Sequence, residues 1–305
     1  MQVGVAVALA ASIGLALGGQ APPQPRPSGL MVFNAGTPSD LFITDLDKRS
    51  VRPLTRGRGG YNPSWSPDAT TIAFEAASDG PCRSPACSRI FLINADGSRR
   101  RAFTPANLRC QEAAWSPDGK WIAYVQWRPH ERDIRSSIWI RSVDGRTARR
   151  LTFAQRAFDS TPVWSPDSTR VAFSRDMGRA TGSYVVKADG TGLRRLRGNR
   201  TTRIESWSSD GRRLAGEQVY GRWNNNFRVV IARSDGSGER VLLRGGSGPV
   251  WSPDDRFIAF VPDDQDISRG TVSVVRADGM ERRKLFETAT DPAHLDWVAR
   301  PTGPG

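Results

Sequence analysis

Short apolar runs of β type recur along the chain, each with the same polar punctuation in front of it. Thr71-Ile72-Ala73-Phe74, Trp121-Ile122-Ala123-Tyr124, Arg170-Val171-Ala172-Phe173, Arg213-Leu214-Ala215 and Arg256-Phe257-Ile258-Ala259-Phe260 follow the words Trp65-Ser66-Pro67-Asp68, Trp115-Ser116-Pro117-Asp118, Trp164-Ser165-Pro166-Asp167, Trp207-Ser208-Ser209-Asp210 and Trp251-Ser252-Pro253-Asp254. The tryptophans lie 50, 49, 43 and 44 residues apart, and Trp297 follows 46 later. Pro presets φ in a turn, Asp suits the next position, and a Gly such as Gly119 or Gly211 tolerates positive φ, so each word predicts a hairpin turn between two strands. A third apolar run comes next (Ile90–Ile93, Ser137–Ile140, Tyr184–Val186, Val229–Ile231, Val272–Val275) and ends in Asp-Gly, a strong hairpin signal. A short basic-apolar run such as Arg149-Arg150-Leu151-Thr152 closes the unit, which makes each repeat a four-stranded antiparallel meander.

One such sheet cannot bury both faces alone, so the copies must stack, and four strands per period of this length specify a propeller. The ends set the blade count. Met31-Val32-Phe33, Leu41-Phe42-Ile43-Thr44 and Val51 to Thr55 supply strands two to four of a blade, and Leu295-Asp296-Trp297 supplies a first strand. The fold expected is therefore all-β: a six-bladed β-propeller of four-stranded antiparallel blades, its ring closed by the C-terminal strand pairing with the N-terminal three, with no open sheet edge at the seam.

The Trp-Ser-Pro-Asp-Gly hairpin, the Ile-Ala-Phe strand, the Ala-Asp-Gly turn and the Arg-Arg-Leu-Thr strand together resemble the TolB-type, or PD40, propeller repeat over residues 30 to 298. The resemblance is specific for fold and weak for function, because similar repeats occur in periplasmic TolB translocation proteins and in the propeller domains of tricorn-like and prolyl-oligopeptidase-like peptidases. No counterpart of the TolB N-terminal domain or of a hydrolase domain is expected beside the propeller.

Residues 1–18, an unbroken small and apolar segment from Val3 to Gly18, are expected to be a signal peptide, cleaved or retained as an anchor. Residues 19–29 form a Pro-rich linker, 30–298 the propeller and 299–305 a flexible tail. The run is shorter than the ~20 residues that cross a bilayer, so membrane association is expected only through an uncleaved segment. Export places the protein outside the cytoplasm, periplasmic, envelope-bound or secreted, where disulfides are permitted. Cys82, Cys87 and Cys110 are expected to share one loop region and to form one disulfide.

The net charge of +13 makes an acidic partner conceivable, but only four residues are lysine and the arginines are spread over every repeat. Scattered charge and export both argue against nucleic acid. Two histidines, His130 and His294, exclude metal sites built on several imidazoles, and the cysteine pattern lacks the four ligands of structural zinc. No metal or cofactor is expected, and no Gly-x-Ser-x-Gly elbow opens a helix. The Asp263-Asp264-Gln265-Asp266 acids are expected to be solvated loop residues, and the repeated tryptophans packing residues between blades.

In a meander the Ser-Pro-Asp and Asp-Gly turns share one face, while the longer connections share the other. Those connections carry Trp127, Arg128, His130, Arg132, Tyr220, Arg222 and Trp223, a mix of aromatic residues and arginines suited to binding. Glu112, Glu205 and His294 lie near the tops of first strands, within reach of the channel mouth. The function expected is a monomeric, non-catalytic scaffold binding a protein or an anionic envelope polymer through the long-loop face. The alternative is a hydrolase or lyase using the acids at the channel mouth.

Overall fold

A computed structural model describes residues 26–57, 59–77, 88–127, 135–153, 157–178, 181–198, 202–220, 226–263 and 270–301. The described strands follow the meander. The first blade contributes β1 (Leu30–Ala35), β2 (Asp40–Asp45) and β3 (Ser50–Pro53). The second holds β4 (Tyr61–Trp65), β5 (Thr71–Ala77), β6 (Ser88–Asn94) and β7 (Arg101–Ala102), and the third β8 (Arg109–Trp115), β9 (Trp121–Trp127), β10 (Ser136–Ser142) and β11 (Ala148–Arg150). The fourth comprises β12 (Phe158–Trp164), β13 (Arg170–Asp176), β14 (Gly182–Lys187) and β15 (Arg194–Arg195). The fifth holds β16 (Thr202–Trp207), β17 (Arg213–Tyr220), β18 (Asn226–Arg233) and β19 (Arg240–Arg244). The sixth consists of β20 (Gly246–Trp251), β21 (Phe257–Pro262), β22 (Gly270–Arg276) and β23 (Arg283–Thr288), after which β24 (Pro292–Val298) returns to the first blade. The sheet order β24-β1-β2-β3 closes the six-bladed ring as the sequence predicts, with Met31 opposite Trp297.

The repeated word is a hydrogen-bonding device. Ser66 Oγ donates to Asp68 Oδ1 at 2.5 Å and accepts from Thr71 N at 2.9 Å, while the same carboxylate accepts from Thr70 N. The pattern repeats at Ser116–Asp118, Ser165–Asp167, Ser208–Asp210 and Ser252–Asp254. In the fifth blade Ser209 stands where the other words carry Pro, which restores a backbone donor that proline lacks. Asp255 of the next blade takes it, accepting from Ser209 N at 2.6 Å and from Ser209 Oγ at 2.8 Å.

No blade has a core of its own. The apolar clusters each join two neighbouring blades: Trp65 packs with Val32, Leu41 and Ile72 across the first interface, and Trp164, Trp207 and Trp251 hold equivalent places farther round. Trp297 closes the last interface against Met31, Val250 and Phe257. Hydrophobic burial, the main favourable term in folding, is here a property of adjacent pairs, and the ring is its smallest complete unit.

Two sequence expectations change. Cys110 is not a loop residue: it lies within β8, fully buried against Ile90, Ile122 and Tyr124, and its thiol is free. Burial pushes that thiol up to about 12, which leaves little reactive thiolate at physiological pH. Cys82 and Cys87, like residues 1–25, lie outside the described residues. The first strands also begin earlier than their patterning suggests, for β8, β12 and β16 take in Arg109–Gln111, Phe158–Ser160 and Thr202–Arg203. The reason is a bulge that interrupts their alternation.

Candidate functional site

The first strand of every blade lines a central cavity of about 660 Å3, within the ~300–1,000 Å3 range of ligand sites. Each of these strands carries one extra residue relative to its neighbour. Tyr61 and Ser64 pair with Glu75 and Ala73, so Asn62 and Pro63 together face a single residue, and corresponding register shifts occur in β8, β12, β16, β20 and β24. A bulge re-aims side chains where a regular strand would alternate them. Here it sets Asn62, Glu112, Thr161, Glu205, Gly248 and His294 on the channel wall. Asn62, Glu112, Thr161 and His294 hold φ between 48° and 53°, a region that β-branched Thr161 in particular resists at a cost of about 1–3 kcal/mol. What fixes Thr161 there is its backbone N–H, which donates to Glu112 Oε2 of the preceding blade at 2.5 Å.

Behind the bulges stands a second ring, formed by the residue that ends each Ala-Phe word on strand two. Asn34 Oδ1 accepts from Asn62 N at 3.4 Å, and Glu217 Oε2 accepts from Gly248 N at 3.0 Å, each reaching into the following blade. Glu75 accepts from Asn62 Nδ2 at 2.8 Å and from Gln111 Nε2 at 2.7 Å. Arg203 is the cation in their midst, its Nη1 3.4 Å from Glu217 and its Nε 3.9 Å from Glu205. The walls thus bring four carboxyl groups and, among the described residues, one guanidinium together at one end of the channel.

The electrostatics follow from crowding. Glu205 is enclosed by protein, yet its side chain keeps 22% of its surface accessible through the channel. Enclosure, with the charges of Glu217 and Glu112 adding to it against Arg203, pushes its carboxyl up to about 8. Burial also raises Glu112, against the pull of the Thr161 N–H and of Arg203. Burial and the nearby Arg203 hold His294 down to about 4, so the imidazole is neutral. Its Nδ1 is 3.2 Å from Asn34 Oδ1, an oxygen that can only accept, which puts the ring proton on Nδ1. The site therefore offers a neutral imidazole, a protonatable carboxyl and several hydrogen-bond acceptors in a walled cavity.

The structure places the candidate binding residues apart. Glu112 and Glu205 are on the cavity wall with His294. Trp127 instead ends β9, edge-on to Phe158 at 4.8 Å and under the Arg109 guanidinium at 4.1 Å. Tyr220 ends β17 beneath Arg228, two blades away from Trp127. Neither lines the cavity, and the two do not form one cluster. Arg128, His130, Arg132, Arg222 and Trp223 lie outside the described residues. Arg203, Glu217, Glu75, Asn62 and Thr161 escaped the sequence reading, although a polar residue directly after the strand-two run, as in Ala73-Phe74-Glu75 and Ala215-Gly216-Glu217, marks the second ring.

Comparison with known proteins agrees with this architecture. Residues 87–299 match the model of the TolB beta propeller domain, PD40. The Tol-Pal system protein TolB of Anaeromyxobacter dehalogenans strain 2CP-C is 32% identical over 101 residues, 33% of this chain and 22% of that protein. The uncharacterized peptidase YuxL of Bacillus subtilis strain 168 is 27% identical over 117 residues, 38% of this chain and 17% of that protein. The matched stretch thus spans only about a fifth of the length of these relatives. Among solved structures, TolB from Acinetobacter baumannii superposes with a TM-score of 0.70 at 20% identity, covering 89% of this chain and 67% of that one, a likeness of fold.

Proposed function

This chain belongs to the TolB beta propeller domain family, and from that premise we propose that it is an extracytoplasmic scaffold that receives a segment of a partner protein at the acid-lined mouth of its channel. The observation that carries this reading is the bulge repeated in the first strand of every blade. A strained backbone conformation held in Asn62, Glu112, Thr161 and His294 is costly for stability alone, and its effect is to turn side chains from the sheets into one cavity. Relatives named as Tol-Pal system proteins support a protein partner, and the apolar Val3–Gly18 segment supports export. The experiment is photo-crosslinking in intact cells, with the reactive residue placed at Ser247 or Thr161 on the cavity wall, and at Ser98 on the turn face as control. Adducts with one discrete protein from the two wall positions and none from Ser98 are expected. Adducts from Ser98 alone, or from no position, refute the reading.

One observation favours a second reading, catalysis at the same mouth. Glu205, with its carboxyl raised to about 8, can donate a proton at neutral pH in the same cavity that holds a neutral His294. Turnover of a uronic-acid oligosaccharide or a peptide that disappears in Glu205→Gln would establish it, and no turnover by the wild-type chain would discard it.

A further inference from the structure

The molecule separates its charge by radius. Carboxyl groups gather on the axis, whereas the outermost strands carry arginine, and they do so unevenly. On the second, third and fourth blades these strands and their flanks hold Arg99 to Arg101, then Arg146, Arg149 and Arg150, then Arg194, Arg195 and Arg197. No acid occurs in residues 97–108, 145–158 or 190–204. The first blade follows suit, with no acid in residues 48–59, whereas on the fifth and sixth blades the corresponding segments mix signs, with Glu239, Glu281 and Glu287. Glu287 pairs with Lys284, and Asp47 lies 3.4 Å from Arg300. The arginine-rich blades are consecutive in the ring, so the positive outer strands form one arc from the first blade to the fourth, with the second, third and fourth at its heart.

These guanidiniums face solvent. The Arg146 and Arg197 side chains are 88% and 80% exposed, with Asp144 and Asp235 3.7 and 4.0 Å away, and Arg99, Arg101 and Arg194 are exposed with no ion-pair or hydrogen-bond partner among the described residues. Arg149 is held flat 5.0 Å over Trp121, and half-buried Arg100 4.5 Å over Phe91, while Arg150, 4.6 Å over Phe153, is already tied through its Nε to Thr152 O. Stacking fixes the plane of a guanidinium while leaving its N–H edge free to fork onto an oxyanion. The acids nearest the arc, Asp96, Asp144 and Asp189, are tied into their own turns by Ser98, Ser142 and Thr191, whose hydrogen bonds hold them below the usual carboxylate range.

We propose that this arc, a surface separate from the channel, binds a flexible linear polymer carrying phosphate groups along its length. The curvature selects the class. A convex rim touches a flat bilayer along little more than one blade, and a stiff duplex must bend at considerable cost to follow it. A single flexible chain can lie along three blades and neutralise arginines on each, releasing counterions as it does so.

The test measures binding of the full chain to two soluble probes, long-chain polyphosphate and a 20-residue oligothymidylate, and to phosphatidylglycerol vesicles, over a salt series. Both soluble probes are expected to bind, with log affinity falling against log salt by roughly 0.7 per phosphate engaged. The triple variant Arg101→Gln, Arg149→Gln, Arg194→Gln should bind at least about tenfold more weakly near 0.1 M salt and lose about two units of slope. A matched triple on the mixed-sign blades, Arg240→Gln, Arg244→Gln, Lys284→Gln, should change affinity by less than about threefold. Arg146→Gln with Arg197→Gln, two solvent-exposed side chains, gives the same direction if the first triple perturbs folding. Equal losses in the two triples, absence of binding by either soluble probe, or retention on vesicles alone would overturn the proposal.

Discussion

The side chains of the channel mouth titrate in opposite senses, which makes their contributions separable. Glu205 has an ordinary value of 4.5 and is raised to about 8 in the fold. The folded state therefore holds a proton that the unfolded state releases, and stability falls as pH rises from about 4.5 towards 8. His294 has an ordinary value of 6.5 and is lowered to about 4. The unfolded state gains the proton first, so the contribution of the neutral imidazole is complete above about 6.5 and is lost as pH falls towards 4. Between those limits the two effects oppose each other, and above about 6.5 Glu205 alone of the two still titrates. Thermal melts from pH 6.5 to 8.5 should show a falling Tm for the wild-type chain and a flatter profile for Glu205→Gln. A Gln variant that loses Tm as steeply as the wild type would mean that Glu205 is not the group that titrates. His294→Gln should leave this alkaline limb in place and shrink the loss between pH 6.5 and 4, while the lowered turn aspartates such as Asp68 still contribute to it below that.

At the level of the strand, adjacent blades are stitched through backbone donors that would otherwise be orphaned. Trp65 N donates to Asp296 Oδ2, Trp115 N to Ser64 Oγ at 3.1 Å, and Trp251 N to Ser206 Oγ at 3.1 Å, each acceptor being the residue before the tryptophan of the preceding blade. Ser206→Ala should cost about 1–3 kcal/mol in chemical unfolding, because it strands a buried N–H. A second internal tie, the buried pair of Arg175 and Asp159 at 2.6 Å, spans β13 and β12. Asp159→Ala should cost more, about 3–5 kcal/mol, since it leaves a guanidinium buried without its counter-charge. A smaller loss for Asp159→Ala than for Ser206→Ala would reverse this ranking. These elements also show what sequence can reveal. Strands two and three were legible because regular pairing preserves alternation and Asp-Gly turns end them. The upper halves of the first strands were not, because one inserted residue breaks the alternation, and Cys110 was lost to a loop for that reason. Glu112 and Glu205 could be placed at the tops of strands by counting back from tryptophan. Arg203, Glu217 and Glu75 come together only through register and curvature, which one blade's pattern does not contain.

For the whole molecule, closure is the condition on which both surfaces depend. Every apolar cluster belongs to two blades, so opening the ring exposes two faces at once and removes the walls of the channel. The seam is made by β24, which pairs along β1 from Leu30 to Ala35, buries Trp297 among Met31, Val250 and Phe257, and supplies Asp296 to Trp65 N. Deleting residues 292–298 takes all three away while leaving the other five sheets intact in sequence. The expected outcome is a broad or multistep calorimetric transition at lower temperature, with the channel site lost and the arginine arc, whose third and fourth blades do not pack on β24, retaining part of its affinity for polyphosphate. A deletion variant with one sharp transition at the wild-type temperature would contradict the dependence on closure. Loss of polyphosphate binding in step with the channel would show that the arc needs the ring to set its curvature, and that local charge is insufficient.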